Sequence, residues 1–290
     1  MAGRVILVTG SSTGIGEATA LHFARCGDTV YATMRTPGSS GKALRSAAEL
    51  EGLDLTLLTL DVNDSQSVAG AIGTAMEHSG RIDVLVNNAG VGNLTSVEEV
   101  SMEDAKSVFE TNLFGVLRTT QAVLPSMRER RSGTIVNVTS ISGRLVSGGH
   151  GIYSSSKYAL EALSEAVALE SLRYDLRVII IEPGFISTPI LDKAGKPLEA
   201  EGPYAEVLGR MQAMYTHARA NAEPPSVVAA AIECALDDPE PKLRYVVGEG
   251  AEQIMLARAA ASDELWIEQG GELTVEELQE WQAKVFPLQD

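Results

Sequence analysis

The sequence predicts an α/β fold, a doubly wound parallel sheet carrying a helical C-terminal extension. Three observations lead there. Short β-rich apolar runs alternate with helical patterns along most of the chain, as in a parallel sheet covered on both faces. The runs VILV, DVLV and VIII are apolar on both sides, Asp83 at the start of the second excepted, as strands buried on both faces must be. A glycine-rich turn joins the first strand to the first helix.

Taken in order, Arg4 to Thr9 reads as strand 1, and the helical pattern Ile15 to Cys26 follows its turn. Thr29 to Met34 is strand 2, Lys42 to Glu51 a helix, and Leu55 to Leu60 strand 3, ending at Asp61. Ser65 to Ser79 is helical and Ile82 to Val86 is strand 4. Ser101 to Arg130 reads as one long helix, and Thr134 to Thr139 as strand 5. Tyr153 to Tyr174 is a second long helix and Arg177 to Ile181 strand 6. The stretch 187–222, rich in Met, Gly and Pro, reads as irregular. A helix from Ser226 to Leu236 and a strand from Arg244 to Val247 complete the sheet domain, residues 1–248. Right-handed crossovers then wind the sheet in both directions. The tail, 249–290, reads as mostly helical and outside the sheet, with Thr274 and Glu277 spaced as a capping box.

Composition narrows the function. The 290 residues carry a net charge of −16, so nucleic acid is an unfavourable partner. Ten acidic and two basic residues fall between Glu249 and Asp290, half of that charge; a solvated helical face accounts for this more simply than a basic partner. Cys26 and Cys234 form neither a disulfide framework nor a metal cluster, and each reads as a small buried apolar residue. No run suits a signal peptide or an integral membrane segment, and a cytoplasmic location is expected.

Four local patterns carry chemistry. Thr9-Gly10-Ser11-Ser12-Thr13-Gly14-Ile15-Gly16 closes strand 1, where glycine lets a pyrophosphate approach the backbone and a helix N-terminus offers free N–H groups. Tyr153 and Lys157 stand at i and i+4 on one helical face, where an ammonium favours the phenolate; alone, the pair could equally be a surface one. Ser140 ends strand 5, thirteen residues before Tyr153, as a substrate-oxygen ligand or a plain cap. Asn87-Asn88-Ala89-Gly90 follows strand 4 and suits a cofactor-facing loop or a turn. Two decoys are weaker. Gly10 to Gly14 fits a hydrolase nucleophile elbow at Ser12, but elbows sit on a later strand. Gly38 to Lys42 has its glycines too close for a phosphate loop and Ala43 where Ser or Thr is needed.

Together, TGSSTGIG, Asp61, NNAG, Asn112, Ser140, Tyr153-x-x-x-Lys157 and Pro183-Gly184 resemble the short-chain dehydrogenase/reductase family over roughly residues 3 to 248. The resemblance implies one Rossmann-type domain, without metal, that moves a hydride between nicotinamide and a carbonyl or secondary-alcohol carbon. It implies Asn112, Ser140, Tyr153 and Lys157 as catalytic tetrad, with Tyr153 the proton donor or acceptor, Ser140 on the carbonyl oxygen, Lys157 depressing the phenol pKa and Asn112 holding a relay water. The cofactor would be held by Gly10, Ser11, Ser12, Gly14, Ile15 and Gly16 in the glycine loop, by Asp61 and Val62 near the adenine, and by Asn88, Ala89 and Gly90. Tyr153, Lys157, Pro183, Gly184, Ile186 and Thr188 complete that set. The long tail and Val30 to Arg35 look most like the branch containing 17β-hydroxysteroid and retinol dehydrogenases. A non-catalytic dinucleotide sensor and a nucleotide-sugar epimerase are the competing readings. The intact tetrad opposes the first, and the glycine spacing the second.

Three finer expectations follow. The end of strand 2 has no carboxylate for a ribose 2′-hydroxyl, whereas Arg35, nineteen residues after Gly16, suits a 2′-phosphate, with Ser11 or Ser12 adding a hydroxyl. NADP(H) is therefore preferred, with NAD(H) possible. The substrate is expected to be a lipophilic, steroid-like ketone or alcohol. Ile190, Leu191, Leu208, Met211, Met214 and Tyr215 give the 187–222 lid an apolar character, with Leu145 and Val146 across the site and His150 able to bond a substrate oxygen. The broad apolar set on helix 153–174 (Ala159, Leu160, Leu163, Ala166, Val167, Leu169, Leu172) points to a homodimer or homotetramer.

Overall fold

The computed structural model describes residues 3–190 and 202–285. Part of the lid, including Leu191, lies outside the described residues. Seven parallel strands form one sheet, β1 Val5–Val8, β2 Thr29–Met34, β3 Leu55–Thr59, β4 Val84–Asn87, β5 Gly133–Val138, β6 Leu176–Pro183 and β7 Arg244–Val247. Their spatial order is β3-β2-β1-β4-β5-β6-β7. The chain winds outward from β1 to β3, returns to β4 beside β1, and winds the other way. That reversal opens a crevice at the carboxyl ends of β1 and β4, where such sheets bind ligands.

The helices are α1 Gly14–Arg25, α2 Pro37–Ser40, α3 Lys42–Glu51, α4 Ser65–Ser79, α5 Met102–Phe109, α6 Gly115–Arg130, α7 Gly151–Ser171, α8 Ala205–Asn221, α9 Ser226–Asp237, α10 Ala251–Ala260, α11 Asp263–Glu268 and α12 Val275–Val285. Local chemistry sets several ends. Asp64 accepts the Gln66 N–H at the start of α4, and Gly80 ends it at φ 71°. The capping box of α12 is formed, with Thr274 N donating to Glu277 Oε2 at 2.8 Å and Glu277 N to Thr274 Oγ1 at 3.2 Å.

One face of the sheet packs on α1 and α9 through Phe23, Val228 and Ile232, and the other on α4, α6 and α7 through Ile72, Met127 and Val167. On the face covered by α6 and α7 lies a buried polar ladder. Asn87 pairs in register with Asn137 and donates to its Oδ1 at 2.9 Å; Asn137 donates to Ser164 Oγ at 2.8 Å, and Thr119 to Asn87 Oδ1 at 2.7 Å. Each amide is satisfied, so burial costs little.

The structure departs from the sequence expectations in four places. The helix expected over 101–130 is interrupted by a π-helical turn, Glu110–Phe114, which holds Asn112. The 187–222 stretch is not irregular throughout, because α8 occupies much of it. Leu208, Met211 and Ala218 are its buried stripe at helical spacing, which Gly209 and the mixed flanking residues obscure. Both cysteines are exposed rather than buried. Cys26 caps the C-terminus of α1 and donates to Glu233 Oε1 at 3.3 Å, while Cys234 lies beyond the buried stripe of α9. Finally, the tail adds no strand but shares a core with the sheet domain. Ile141 and Leu145 pack with Ala251, Trp266, Trp281 and Val285.

Candidate active site

The glycine turn is fixed by the protein before any ligand is considered. Gly10 (φ 67°) and Gly14 (φ 62°) occupy the left-handed region, which side chains disfavour. A Cβ on Gly10 would stand 2.7 Å from the Ala89 Cα, and one on Gly16 would stand 2.4 Å from Asn88 Nδ2. Asn88 fastens this turn to the end of β4, donating to Thr9 O at 3.0 Å and Gly10 O at 3.2 Å. Thr9 Oγ1 accepts the Asn88 and Ala89 N–H groups in return.

Beyond the turn lies a cavity of about 250 Å³ at the β1/β4 crevice. Gly10, Ser12, Gly14 and Ile15 line one wall; Arg35, Asp61 and Val62 line another; Asn88, Ala89, Gly90 and Thr188 close it. Arg35 is exposed and has no carboxylate partner among the described residues. Ser11 is a correction to the expected set. It is fully buried and its hydroxyl donates to Val8 O at 3.0 Å, so only Ser12 faces the cavity. Gly16 is spent on close packing rather than on the cavity wall.

A second cavity, of about 280 Å³, adjoins the first, and Ile15, Asn88, Gly90 and Thr188 line both. Ser140, Tyr153 and Lys157 face it, with Pro183, Gly184 and Ile186 at the end of β6. The Ser140 hydroxyl accepts the Ser142 N–H at 3.1 Å, as a cap, and faces the same cavity as Tyr153. Burial pushes the Tyr153 phenol up, and the polar Ser140 hydroxyl opposes the rise. Burial lowers the Lys157 ammonium to about 8, with Glu161 opposing. Lys157 Nζ donates to Val138 O at 3.0 Å and sits 5.9 Å from the Tyr153 ring centroid. In this geometry burial dominates the phenol, in place of the expected lowering by Lys157.

Asn112 faces neither cavity. It is fully buried; Nδ2 donates to Val91 O at 2.9 Å and Ser156 Oγ at 3.0 Å, and Oδ1 accepts Val91 N–H at 2.9 Å. Ser156 Oγ donates in turn to Tyr153 O at 2.7 Å. The amide thus braces the start of α7 against the loop after β4.

Of the expected substrate residues, Leu145, His150 and Tyr215 line the second cavity. Val146 and Met211 do not. Val146 is exposed, and only its carbonyl is engaged, accepting Trp266 Nε1–H at 2.8 Å. Met211 is buried one turn before Met214 and Tyr215, which line the cavity in its stead. His150 Nε2 and the Tyr215 hydroxyl are hydrogen-bonded at 2.6 Å, and burial lowers His150 to about 4, so it is neutral at neutral pH. Trp266, Trp281, Ile254 and Gln269 from the tail also line the cavity, as does Asn93, whose buried Oδ1 has no partner among the described residues. Sequence reasoning missed these. A signal was present, since both tryptophans of the chain fall inside a strongly acidic tail that a solvated face would not need.

Comparison with known proteins agrees with this geometry. The profile described as short chain dehydrogenase matches residues 4–199. An oxidoreductase, BOA17, of Botryotinia fuckeliana is 33% identical over 273 residues, covering 91% of this chain and 97% of that protein. Estradiol 17-beta-dehydrogenase 1 of Rattus norvegicus is 36% identical over 256 residues, covering 84% and 74%. The crystal structure of a short-chain dehydrogenase from Streptomyces avermitilis superposes with TM-score 0.78 at 33% identity, covering 97% and 96%. With its parallel sheet, its Ser140-Tyr153-Lys157 constellation and these relatives, the chain belongs to the short-chain dehydrogenase/reductase family of oxidoreductases.

Proposed function

We propose that this enzyme uses NADP(H), with NAD(H) as a poorer substitute, to interconvert a lipophilic, steroid-like ketone and its alcohol. Ser140, Tyr153 and Lys157 facing one largely apolar cavity, with Lys157 Nζ 5.9 Å from the Tyr153 ring centroid, carry this reading. The residues present fit a dinucleotide. A cradle at Gly10 and Gly14 tolerates no Cβ without strain, and Arg35 faces the same cavity without a carboxylate partner among the described residues.

A bound nicotinamide would supply or accept the hydride. Ser140 donates to the substrate oxygen and fixes the reacting carbon. The Tyr153 hydroxyl gives that oxygen a proton in reduction and takes it back in oxidation. Lys157 provides positive charge where the phenolate develops. Asn112 holds the start of α7, and so Tyr153, in place through Ser156. Leu145, Ile186, Met214, Trp266 and Trp281 offer the apolar walls that a large hydrophobic substrate needs.

Replacement of Tyr153 by Phe tests the assignment. It keeps the ring and removes the proton, so turnover should fall on the order of 10²-fold while cofactor binding persists. Near-normal turnover would remove Tyr153 from the chemistry.

We further propose a homodimer or homotetramer in the cytoplasm. Leu169 and Leu172 are 79% and 72% exposed on and just beyond α7, an apolar pair suited to a partner subunit. No described helix is long and apolar enough to cross a membrane.

A further inference from the structure

Behind Lys157, away from the cavity, the fold gathers an unusual number of charges. Glu161 follows Lys157 by one turn of α7 and is buried; Glu182, near the end of β6, is 1% exposed. Arg244, on β7, donates from Nε to Glu161 Oε2 at 2.9 Å, lies 3.6 Å from Glu182, and reaches Glu165 with Nη2 at 2.5 Å. Arg144, just after the turn that Ser140 begins, reaches Glu182 at 3.3 Å. That turn presses on α7 between the two residues of interest. A Cβ on Gly143 would stand 3.0 Å from Glu161 Cγ and 3.3 Å from Lys157 O.

We propose that the Glu161 carboxylate, held by Arg244 one turn behind Lys157, is the counter-charge that keeps the buried Lys157 ammonium protonated and in position.

Charge balance leads to this. Arg244 is shared among Glu161, Glu182 and the outlying Glu165, and Arg144 reaches Glu182, so the buried pair Glu161 and Glu182 carries negative charge that these shared guanidiniums only partly offset. Lys157 is the cation that neutralises it. An isolated buried ammonium is strongly disfavoured, and the bond to Val138 O is the one polar contact of Nζ among the described residues. Glu161 Oε1 supplies the complementary observation. It is buried without a hydrogen-bond partner among the described residues, a costly state for a carboxylate oxygen unless a nearby cation compensates it. The other groups around Lys157 do not supply the charge. Tyr153 and Asn112 are neutral at neutral pH, as is His150, and Glu182 is shared by the two arginines. Burial and Glu161 both push Glu182 up, as two carboxylates sharing one pocket must. Glu161 is thus a positioning residue, which acts through Lys157 and touches no substrate.

The inference rests on the place given to Lys157 in the proposed site, so its test does not use turnover. In the ligand-free protein carrying ¹³Cε-lysine, NMR follows the Lys157 titration, assigned by its loss in Lys157→Met. Glu161→Gln should lower the midpoint by about one pH unit, because the ammonium loses its counter-charge. Glu161→Asp should restore most of it. Glu165→Gln, whose carboxylate lies farther out on the exposed side of Arg244, should leave the midpoint within about 0.3 unit of the parent. Arg244→Gln should raise it, since a competing cation is removed; this variant serves if Glu161→Gln fails to fold. An unchanged or raised midpoint in folded Glu161→Gln, or a lowered or unchanged one in Arg244→Gln, overturns the proposal. An active Tyr153→Phe enzyme would overturn the catalytic assignment while leaving these titrations intact.

Discussion

Truncating Trp266 to Ala should loosen the C-terminal extension without unfolding the sheet. The side chain is 8% exposed and joins a small core with Ile141, Leu145, Trp281 and Val285. Its indole N–H donates to Val146 O at 2.8 Å, its ring meets Trp281 edge-on at 5.9 Å, and Arg258 lies 5.4 Å over its face. A buried Trp covers roughly 150–250 Å², and its truncation typically costs about 3–5 kcal/mol. The extension is attached chiefly through this core, so the loss falls on its docking. A loss of about 3 kcal/mol corresponds to roughly 10²-fold faster exchange of amides in α11 and α12. Amides of β1, β4 and β5 should hardly change. Steady-state kinetics should show KM rising for large apolar substrates, with kcat for a small ketone nearly kept. Hydrogen exchange with mass spectrometry reads the first outcome. If α11 and α12 exchange within threefold of the parent, or if the strands accelerate by the same factor, the extension is not held by Trp266 as a separable unit.

Three more outcomes can be checked. Arg35→Ala should lower kcat/KM for NADPH by about tenfold or more and leave that for NADH nearly unchanged; an equal fall with both cofactors would refute the 2′-phosphate role. His150 is lowered in the folded state from 6.5 to about 4, so its contribution to stability is present above pH 6.5 and is lost as pH falls towards 4. That window is worth about 3 kcal/mol, and His150→Phe should show a smaller drop in Tm between pH 7 and pH 4.5 than the parent; an equal drop removes His150 as the cause. Light scattering at micromolar concentration should give a multiple of 30.7 kDa, and the double change Leu169→Glu with Leu172→Glu should reduce it; a monomeric parent would refute the proposed assembly.

Much of the fold was legible because local and global signals agree. The runs 29–34, 42–51, 65–79 and 244–247 form the expected elements to the residue, with Asp64 and Gly80 marking the ends of α4. The Ser140, Tyr153 and Lys157 constellation was legible too, because strand end and helix start fall at the same sheet edge. What escaped depends on long-range packing. A π turn uses the same residue types as an α-helix, so nothing before Asn112 announces the wider turn. Ser11 and Ser12 are chemically identical neighbours, and only backbone direction sends one hydroxyl to Val8 and the other to the cavity. Trp266 and Trp281 reach the site from a segment over a hundred residues beyond Tyr153 in the chain. The arginine clamp on Glu161 and Glu182 joins β6, β7, α7 and the turn after β5, which no spacing rule connects.

The amide ladder between β4 and β5 restricts how this sequence can drift. Asn87 and Asn137 each answer the other and a helix hydroxyl, Thr119 or Ser164, in a space closed to water. An apolar replacement at one rung strands a buried amide at the other, costing about 1–3 kcal/mol, whereas replacing both can be nearly neutral. A one-residue slip of β5 along β4 would strand both amides as well. Single steps away from this arrangement therefore lead downhill in fitness, and the positions should change jointly or stay fixed across descendants of this chain. The ladder acts as a ratchet on divergence, placed directly beneath the crevice where the chemistry is carried out.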